Sequence, residues 1–438
     1  MHSRTTGGGG LARVLRHATE RVTRMRGSVL VLGAGMVGVS VALHLQRRGR
    51  DVVLVDRQGP GEGASFGNGG LIQREAVFPH PFPRRMSEIL RVARNRSVDV
   101  AYHPAALPGF ASPLLRYWWQ SAPDRYAHAA AAHARLIATC LDEHLALAQG
   151  TEAMALLRPI GWMRLYSQAA QMEEAIAQAD QARRQHGVNF AVLDGRALAE
   201  AEPHLLVRRE GAIHWTDPLS VSDPQALTLA YAALFTQAGG AVALGDATTL
   251  ERSGSGWRVT TQQGVVEAAE VVIALGAAAV TLTRRLGYAP PLFGKRGYHM
   301  HYGLRGNATL NRPILDTQSG FLLAPMRAGI RLTTGAEFAP TEAPPTPVQL
   351  ARAEPVAREL LPLAGRVDAA PWMGVRPCMP DMLPVIGRLP GQGGAWCAFG
   401  HAHQGLTLGP TTGRLLADMM TSEVPFLPPD PYRPERFR

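Results

Sequence analysis

Lysine is almost missing. Of the 45 basic residues in this 438-residue chain, all but Lys295 are arginines. The formal charge of +10 comes from arginine spread along the whole length, with no Lys/Arg run of the kind that tracks a nucleic-acid backbone. No nucleic-acid partner is expected, although a basic surface still favours anionic substrates or an anionic membrane face. Cysteine is scarce too. Cys140, Cys378 and Cys397 are far apart, and no CxxC or CxxCH spacing occurs. That excludes a disulfide framework, a c-type haem attachment and a cysteine-rich iron–sulfur site, and it fits a reducing compartment. Long apolar runs are also lacking: VVIALGAAAV at 271–280 is far too short to span a bilayer. The expected location is the cytoplasm, with peripheral contact at the inner face of the cytoplasmic membrane left open.

What remains suits a globular enzyme. Hydrophobic residues make up 46% and charged residues 18%, and the length is enough for two substantial cores. Residues 1–26 stand apart. MHSRTTGGGGLARVLRHATERVTRMR carries six arginines, one acid and four consecutive glycines. It has no apolar core of a secretory signal and reads as a disordered or processed leader.

The first chemical signal is VLVLGAGMVGVSVALHL, starting at Val29. Ser28–Leu32 reads as a buried strand, and Gly33, Gly35 and Gly38 then fit G-x-G-x-x-G. Val37–Arg48 reads as a helix ending at Gly49. Asp51–Val55 reads as the next strand, ending on Asp56. Gly33 permits a tight turn, Gly35 lets backbone approach a pyrophosphate, and Gly38 lets the helix pack closely. The helix start, with Met36 and Val37, meets negative charge. Asp56 accepts from ribose hydroxyls, and Arg57 follows it. The order of these pieces, more than the glycines alone, marks a dinucleotide site.

The next segment bears on which dinucleotide. An NAD domain continues into another helix. Here RQGPGEGASFGNGGLI, residues 57–72, supplies six glycines with Ser65 and Asn68. Such a loop can follow a longer cofactor and offer it N–H groups. Read alone, it is equally a flexible linker.

Further motifs complete a pattern. Ala64, Ser65, Asn68, Gly69 and Gly70 match an "AS…N-G-G" loop, and Ala274–Gly276 matches a strand-end "A-x-G". Arg296, Gly297 and Tyr298 match "K/R-G-Y". GVRPCMPDMLPVIG, from Gly374 to Gly387, matches G-x-R-P-x-x-P-D-x-x-P-x-I-G at each fixed position. GHAHQGLTLGP spans Gly400–Pro410. Together these make the chain resemble the D-amino acid oxidase superfamily of flavoproteins, most of all its bacterial D-amino acid dehydrogenase branch. The resemblance covers nearly everything after Met25.

The resemblance implies an α/β fold. A Rossmann-type FAD-binding domain is assembled from 27–74, 218–289 and 372–438. An α+β substrate domain with a mixed or antiparallel sheet comes from 75–217 and 290–371. It implies FAD, held without a covalent bond since no cysteine lies in the 61–70 loop, and it calls for no metal. Adenine falls near Ala247–Thr248. Local signals agree with this layout. Asp223-Pro224 starts a helix over QALTLAYAALFTQ. AVALG and the WRVTTQQGVVEA hairpin read as strands, as do GYHMHYGL, GFLLAPM and GIRLTTGAEF. SPLLRYWWQ, the Ala-rich stretch 127–157 and AAQMEEAIAQADQARRQHG read as helical. Tyr117, Trp118 and Trp119 are expected in a core.

Arg376 is the first candidate for chemistry. A carboxylate entering an apolar pocket needs a partner, and a planar guanidinium offers two-point pairing. Arg376 matches the superfamily's carboxylate-binding arginine, and the plain alternative is an ion pair with Asp381. Gly405, Leu406 and Thr407 open a helix whose N–H groups suit the negative charge of a reduced flavin. Gly400 and His403 lie in the loop before it. His401 and His403 lack the companions of a zinc site. Tyr298 and Tyr302 share one strand face, with His299 pointing away. They either hydrogen-bond substrate or pack. Arg296 occupies the family's basic position beside the flavin. Gln73, Arg74 and Glu75 depart from the small or polar residues usual in the branch.

The implied reaction is hydride transfer from Cα of a D-amino acid, or a related secondary amino acid, to FAD. The resulting imine hydrolyses to a 2-oxo acid and ammonia, and electrons pass on to a quinone or oxygen. Alternatives are a glycine- or sarcosine-type amine oxidase and an FAD-holding subunit of a hetero-oligomeric amino acid or hydroxyproline dehydrogenase. An NAD-linked dehydrogenase is disfavoured by the 61–70 loop.

Overall fold

Val29–Leu32 and Val52–Val55 have no exposed surface, as expected of parallel strands covered on both faces. In the computed structural model, which describes residues 27–340 and 342–437, they form the centre of a seven-stranded sheet. The leader expected at 1–26 lies outside the described residues. Strand β1 (Gly27–Leu32) pairs in parallel with β2 (Val52–Asp56) and with Gly264–Ile273. Helix α1 (Met36–Arg47) connects β1 to β2. Ala241–Leu244 extends the sheet beyond β2, and Ala395–Phe399 beyond Gly264–Ile273. Val385–Arg388 closes that edge in antiparallel sense.

Strand Ala241–Ser253 runs well past the AVALG expected from sequence. Its second half folds into a hairpin layer with Gly256–Thr261, and the register shifts between Asp246 and Glu251. Helix Pro224–Gln237 begins where expected, capped by the Asp223 carboxylate, which accepts from Ala226 N–H at 2.9 Å. The C-terminal helix Gly405–Met420 packs against α1.

A second sheet has eleven strands and is mixed. Its centre is Phe293–Leu304, antiparallel to Gly329–Thr333 and to Trp372–Cys378. Parallel pairing occurs between Trp162–Tyr166 and Ile314–Asp316. The segment that starts at 372 therefore enters through the second sheet before its Val385–Arg388 and Ala395–Phe399 strands join the first. A small third sheet, Leu71–Ile72 with Leu219–Val221 and Leu157–Arg158, links the two.

Two local readings change. The Ala-rich stretch splits into helices Pro123–Ala138 and Cys140–Ala148, broken at Thr139. Of Tyr117, Trp118 and Trp119 on helix Leu107–Gln120, only Tyr117 is buried. Trp118 and Trp119 lie at the surface with Arg84 and Arg125 over their rings at 4.5 and 4.1 Å. Arginine stacking thus replaces the core environment expected for them. Among the described residues, no helix is long and apolar enough to cross a membrane.

Candidate active site

The glycine turn after β1 is compressed on one side and open on the other. Gly33 has φ 105°, and a Cβ there would meet the Ala274 carbonyl oxygen at 2.5 Å. A Cβ on Gly38 would lie 1.8 Å from the Gly33 oxygen, so turn, helix and neighbouring strand end are in contact. A Cβ on Gly35 would meet only Ser65 Oγ, at 3.5 Å. In front of Gly35 lies a cavity of about 1510 Å³. The open cradle at Gly35 and this volume fit an elongated dinucleotide with a substrate beside it.

Hydrogen bonds fix the cradle. Ala34 N–H donates to Asp56 Oδ2 at 2.7 Å and Gln58 N–H to Asp56 Oδ1 at 3.0 Å. Asp56 therefore shapes the turn as well as facing the cavity. Met36 N–H donates to Ser65 Oγ at 3.0 Å, pinning the 61–70 loop to the helix start. Gly33, Met36, Val37, Arg57, Ala64, Asn68 and Gly69 line the cavity, as do Ala247, Ala274, Gly276, His403, Gly405 and Leu406.

Other expected contacts stand behind the wall. Gly70 and Gly400 turn the chain there with positive φ. Thr407 Oγ1 accepts from Gln73 N–H at 3.2 Å and donates to the Leu71 carbonyl at 3.3 Å, so it ties the flavin loop to the C-terminal helix. Arg296 is corrected from cofactor contact to buried strut. It donates to the Ala343 and Pro344 carbonyls and pairs with Glu337 at 3.5 Å.

Arg376 lines the same cavity. Its guanidinium donates to the carbonyls of Gly335 (2.7 Å), Thr334 (3.1 Å) and Arg296 (3.5 Å). Among the described residues no carboxylate pairs with it, and Asp381 is held instead by Arg436 Nε at 2.7 Å. Gly297 makes room for the fork, since a Cβ there would meet Nη2 at 2.5 Å. Burial pulls the pKa of Arg376 down, yet an arginine in this setting stays charged and keeps donors for a ligand.

The two tyrosines do share a face, but it is packed. Tyr302 has no cavity surface, and its hydroxyl donates to Glu354 Oε2 at 2.9 Å. Tyr298 borders the cavity, but its hydroxyl donates to Glu337 Oε2 at 2.7 Å and accepts from Thr346 N–H at 2.9 Å. Tyr302 is corrected from substrate contact to packing behind the wall, and Tyr298 remains at the cavity with its hydroxyl already paired. Lys295 lies outside the cavity wall, Nζ 4.7, 5.5 and 5.7 Å from the ring centroids of Tyr117, Phe293 and Phe338.

Burial disfavours the charged form of the histidines at the cavity. Burial lowers His401 to about 3, and its Nε2 contacts Thr412 Oγ1 at 2.9 Å. His403 lies well below the ordinary range because of burial, then His80 and Arg376. His299, His301 and Asp368 present donor atoms within 4.8 Å of one another. There Arg331 takes the place a cation would fill: its Nε donates to His301 Nε2 at 2.9 Å while His301 Nδ1 contacts Asp368 Oδ2 at 2.8 Å.

Arg331 is a loop-holding residue that the sequence did not announce. Its Nη1 donates to the carbonyls of Phe66 (2.9 Å) and Asn68 (2.5 Å), clamping the 61–70 loop from the second sheet. Burial lowers its pKa to about 10, so it remains a cation. Cys378 and Cys397 are buried with no cavity surface, and burial raises both thiols. Glu75, Trp162 and Arg164 line another part of the cavity. Only Glu75 drew notice in the sequence, as a departure from the branch.

A model of the DAO family, described as FAD dependent oxidoreductase, matches residues 28–419. A D-amino acid dehydrogenase of Cereibacter sphaeroides is 30% identical over 421 residues, covering 91% of this chain and 92% of its own. A D-amino-acid oxidase of Bradyrhizobium diazoefficiens is 28% identical over 426 residues, with 93% and 98% covered. The crystal structure of glycine oxidase from Geobacillus kaustophilus shares the fold at a TM-score of 0.70 and 22% identity, covering 93% of this chain and 98% of that one. The chain belongs to the DAO family of FAD-dependent oxidoreductases.

Proposed function

We propose that the protein oxidises the Cα–N bond of a D-amino acid or a related secondary amino acid, using FAD held without a covalent bond. The observation that carries this reading is Arg376: a guanidinium without a carboxylate partner among the described residues, in the same cavity as the dinucleotide cradle. Bound FAD supplies the hydride acceptor. Gly35 would admit the pyrophosphate, Asp56 would accept from ribose hydroxyls, and the N–H groups opening helix Gly405–Met420 would stabilise negative charge on the reduced flavin. Arg376 binds the substrate carboxylate and so orients Cα, and orientation of this kind supplies much of the rate. With the cavity histidines neutral, Arg376 is the cation that meets the α-carboxylate of the substrate. The released imine hydrolyses to a 2-oxo acid and ammonia.

The segments 27–74, 218–289 and 372–438 act as the FAD unit in this reading and 75–217 and 290–371 as the substrate unit, with Trp372–Cys378 pairing into the second sheet. The electron acceptor is a quinone or oxygen. Exposed Met86, Leu90, Leu115 and Trp119, with Arg84 and Arg125 stacked nearby, support peripheral contact of a cytoplasmic protein with an anionic membrane face. A panel of D-amino acids, glycine, sarcosine and proline, run with an artificial dye with and without oxygen, tests substrate class and acceptor together. Turnover restricted to amines without a carboxylate refutes the reading.

A further inference from the structure

The cavity has a second polar region. It is supplied by the 73–80 segment, the Trp162–Tyr166 strand and helix Ala169–His186. Glu75 is 8% exposed there. Its Oε1 accepts from Trp162 Nε1 at 2.9 Å and from Gln73 Nε2 at 3.1 Å. These two donors fix the carboxylate, and Oε2 is buried with no hydrogen-bond partner. Arg164 lines the same cavity, and among the described residues its guanidinium has no hydrogen-bond or ion-pair partner; its Nε is buried.

The two charges do not pair with each other, although Arg164 is near enough to Glu75 to favour its ionised form. An acceptor without a donor and a donor without an acceptor, both inside one cavity, are costly unless a ligand satisfies them. Above the value of about 7 to which burial raises Glu75, the carboxylate is ionised and the pair is neutral as a unit. An added ammonium or carboxylate would leave one uncompensated buried charge, whereas a neutral group with an N–H and a carbonyl on one carbon satisfies both sides. A carboxamide has that pattern, and an alkyl group of the same shape leaves both unsatisfied.

We propose that Glu75 and Arg164 form a second substrate subsite for a carboxamide-ended side chain, whose N–H donates to Glu75 Oε2 and whose carbonyl accepts from Arg164. The inference rests on the reading that Arg376 anchors the substrate carboxylate. It names these two residues as determinants of substrate choice in the same oxidation.

The test uses the holoenzyme at pH 8, where Glu75 is ionised, and acids that lack an α-amine and so cannot be oxidised. Monoamides of dicarboxylic acids with two to four methylenes are compared with the acids carrying isopropyl in place of the amide, with the diacids and with the ω-amino acids. Binding is read from perturbation of the flavin spectrum. For at least one chain length, the amide should bind about tenfold or more tighter than its isopropyl counterpart, since a site built to hydrogen-bond rejects the analogue that cannot. Glu75→Gln and Arg164→Met should each cut that preference to about threefold or less. Equal binding of amide and isopropyl acids by wild type overturns the inference, as does a preference that survives both substitutions. Tighter binding of the diacid or the ω-amino acid also overturns it, because the subsite then serves a single charge. If simple monocarboxylic acids bind while the amide gains nothing, the inference fails and the Arg376 reading stands. A holoenzyme that binds none of the acids refutes both.

Discussion

Replacing Arg376 by leucine separates anchoring of substrate from support of the fold. The guanidinium donates to three backbone carbonyls and has no carboxylate partner among the described residues. Its removal strips Thr334 and Gly335 of donors beside a cavity that water can enter, a loss of about 1–3 kcal/mol of stability. For a chain of this size that lowers Tm by only a few degrees, and the cofactor cradle, built from other segments, remains. The substrate loses much more. An amino-acid carboxylate left without its partner forfeits about 3–5 kcal/mol of transition-state binding, a fall of roughly 10²–10³-fold or more in kcat/KM. Arg376→Lys should recover only part, because an ammonium lacks the planar two-point fork. The assay is flavin content, Tm and kcat/KM on each variant, with an amine lacking a carboxylate as control. Normal turnover of amino acids by Arg376→Leu refutes the reasoning, and so does loss of fold or flavin.

Other outcomes follow from the same geometry. Gly35→Val should fold yet hold no FAD, since its side chain meets only Ser65 in the protein but blocks the pyrophosphate; flavin content equal to wild type would place the cofactor elsewhere. Asp56→Ala should retain FAD more weakly, read by titration of apoprotein. Arg331→Met frees the carbonyls of Phe66 and Asn68 and should weaken FAD about tenfold or more; an unchanged affinity shows that the loop needs no clamp. Acid precipitation should release all the yellow colour to the supernatant, because Cys378 and Cys397 lie outside the cavity wall; colour in the pellet means a covalent link. Burial, opposed by Trp162, Gln73 and Arg164, raises Glu75 from 4.5 to about 7. The fold thus favours the protonated acid, and stability should fall by about 3 kcal/mol as pH rises from about 4.5 to 7. Urea unfolding at pH 5 and 8 checks this, and Glu75→Gln should lose that component of the pH dependence.

Local chemistry made the cradle legible. A Val/Leu run, three glycines, a largely apolar helix and an acid at the next strand end specify β1, α1 and β2 within thirty-odd residues, and Arg376 stood out through the signature around it. Period-two alternation placed Tyr298 and Tyr302 on one face, but only tertiary pairing with Glu337 and Glu354 decides that this face is packed. Arg296 was misplaced for the same reason: its partners are Glu337 and the 343–344 carbonyls. Arg331 lies more than 260 residues from the loop that it clamps, so no local pattern could announce it. The surface position of Trp118 and Trp119 depends on Arg84 and Arg125, which hydropathy does not report.

The central claim is that this cavity oxidises an amino acid through FAD, with Arg376 as anchor. The most direct measurement is the visible spectrum of the purified protein, recorded without oxygen while amino acids are added one by one. A yellow protein bleached by at least one D-amino acid or secondary amino acid, with Arg376→Leu yellow but unbleached at the same concentration, is the predicted result. A colourless protein, or a yellow one whose spectrum stays oxidised across the whole panel, contradicts the account.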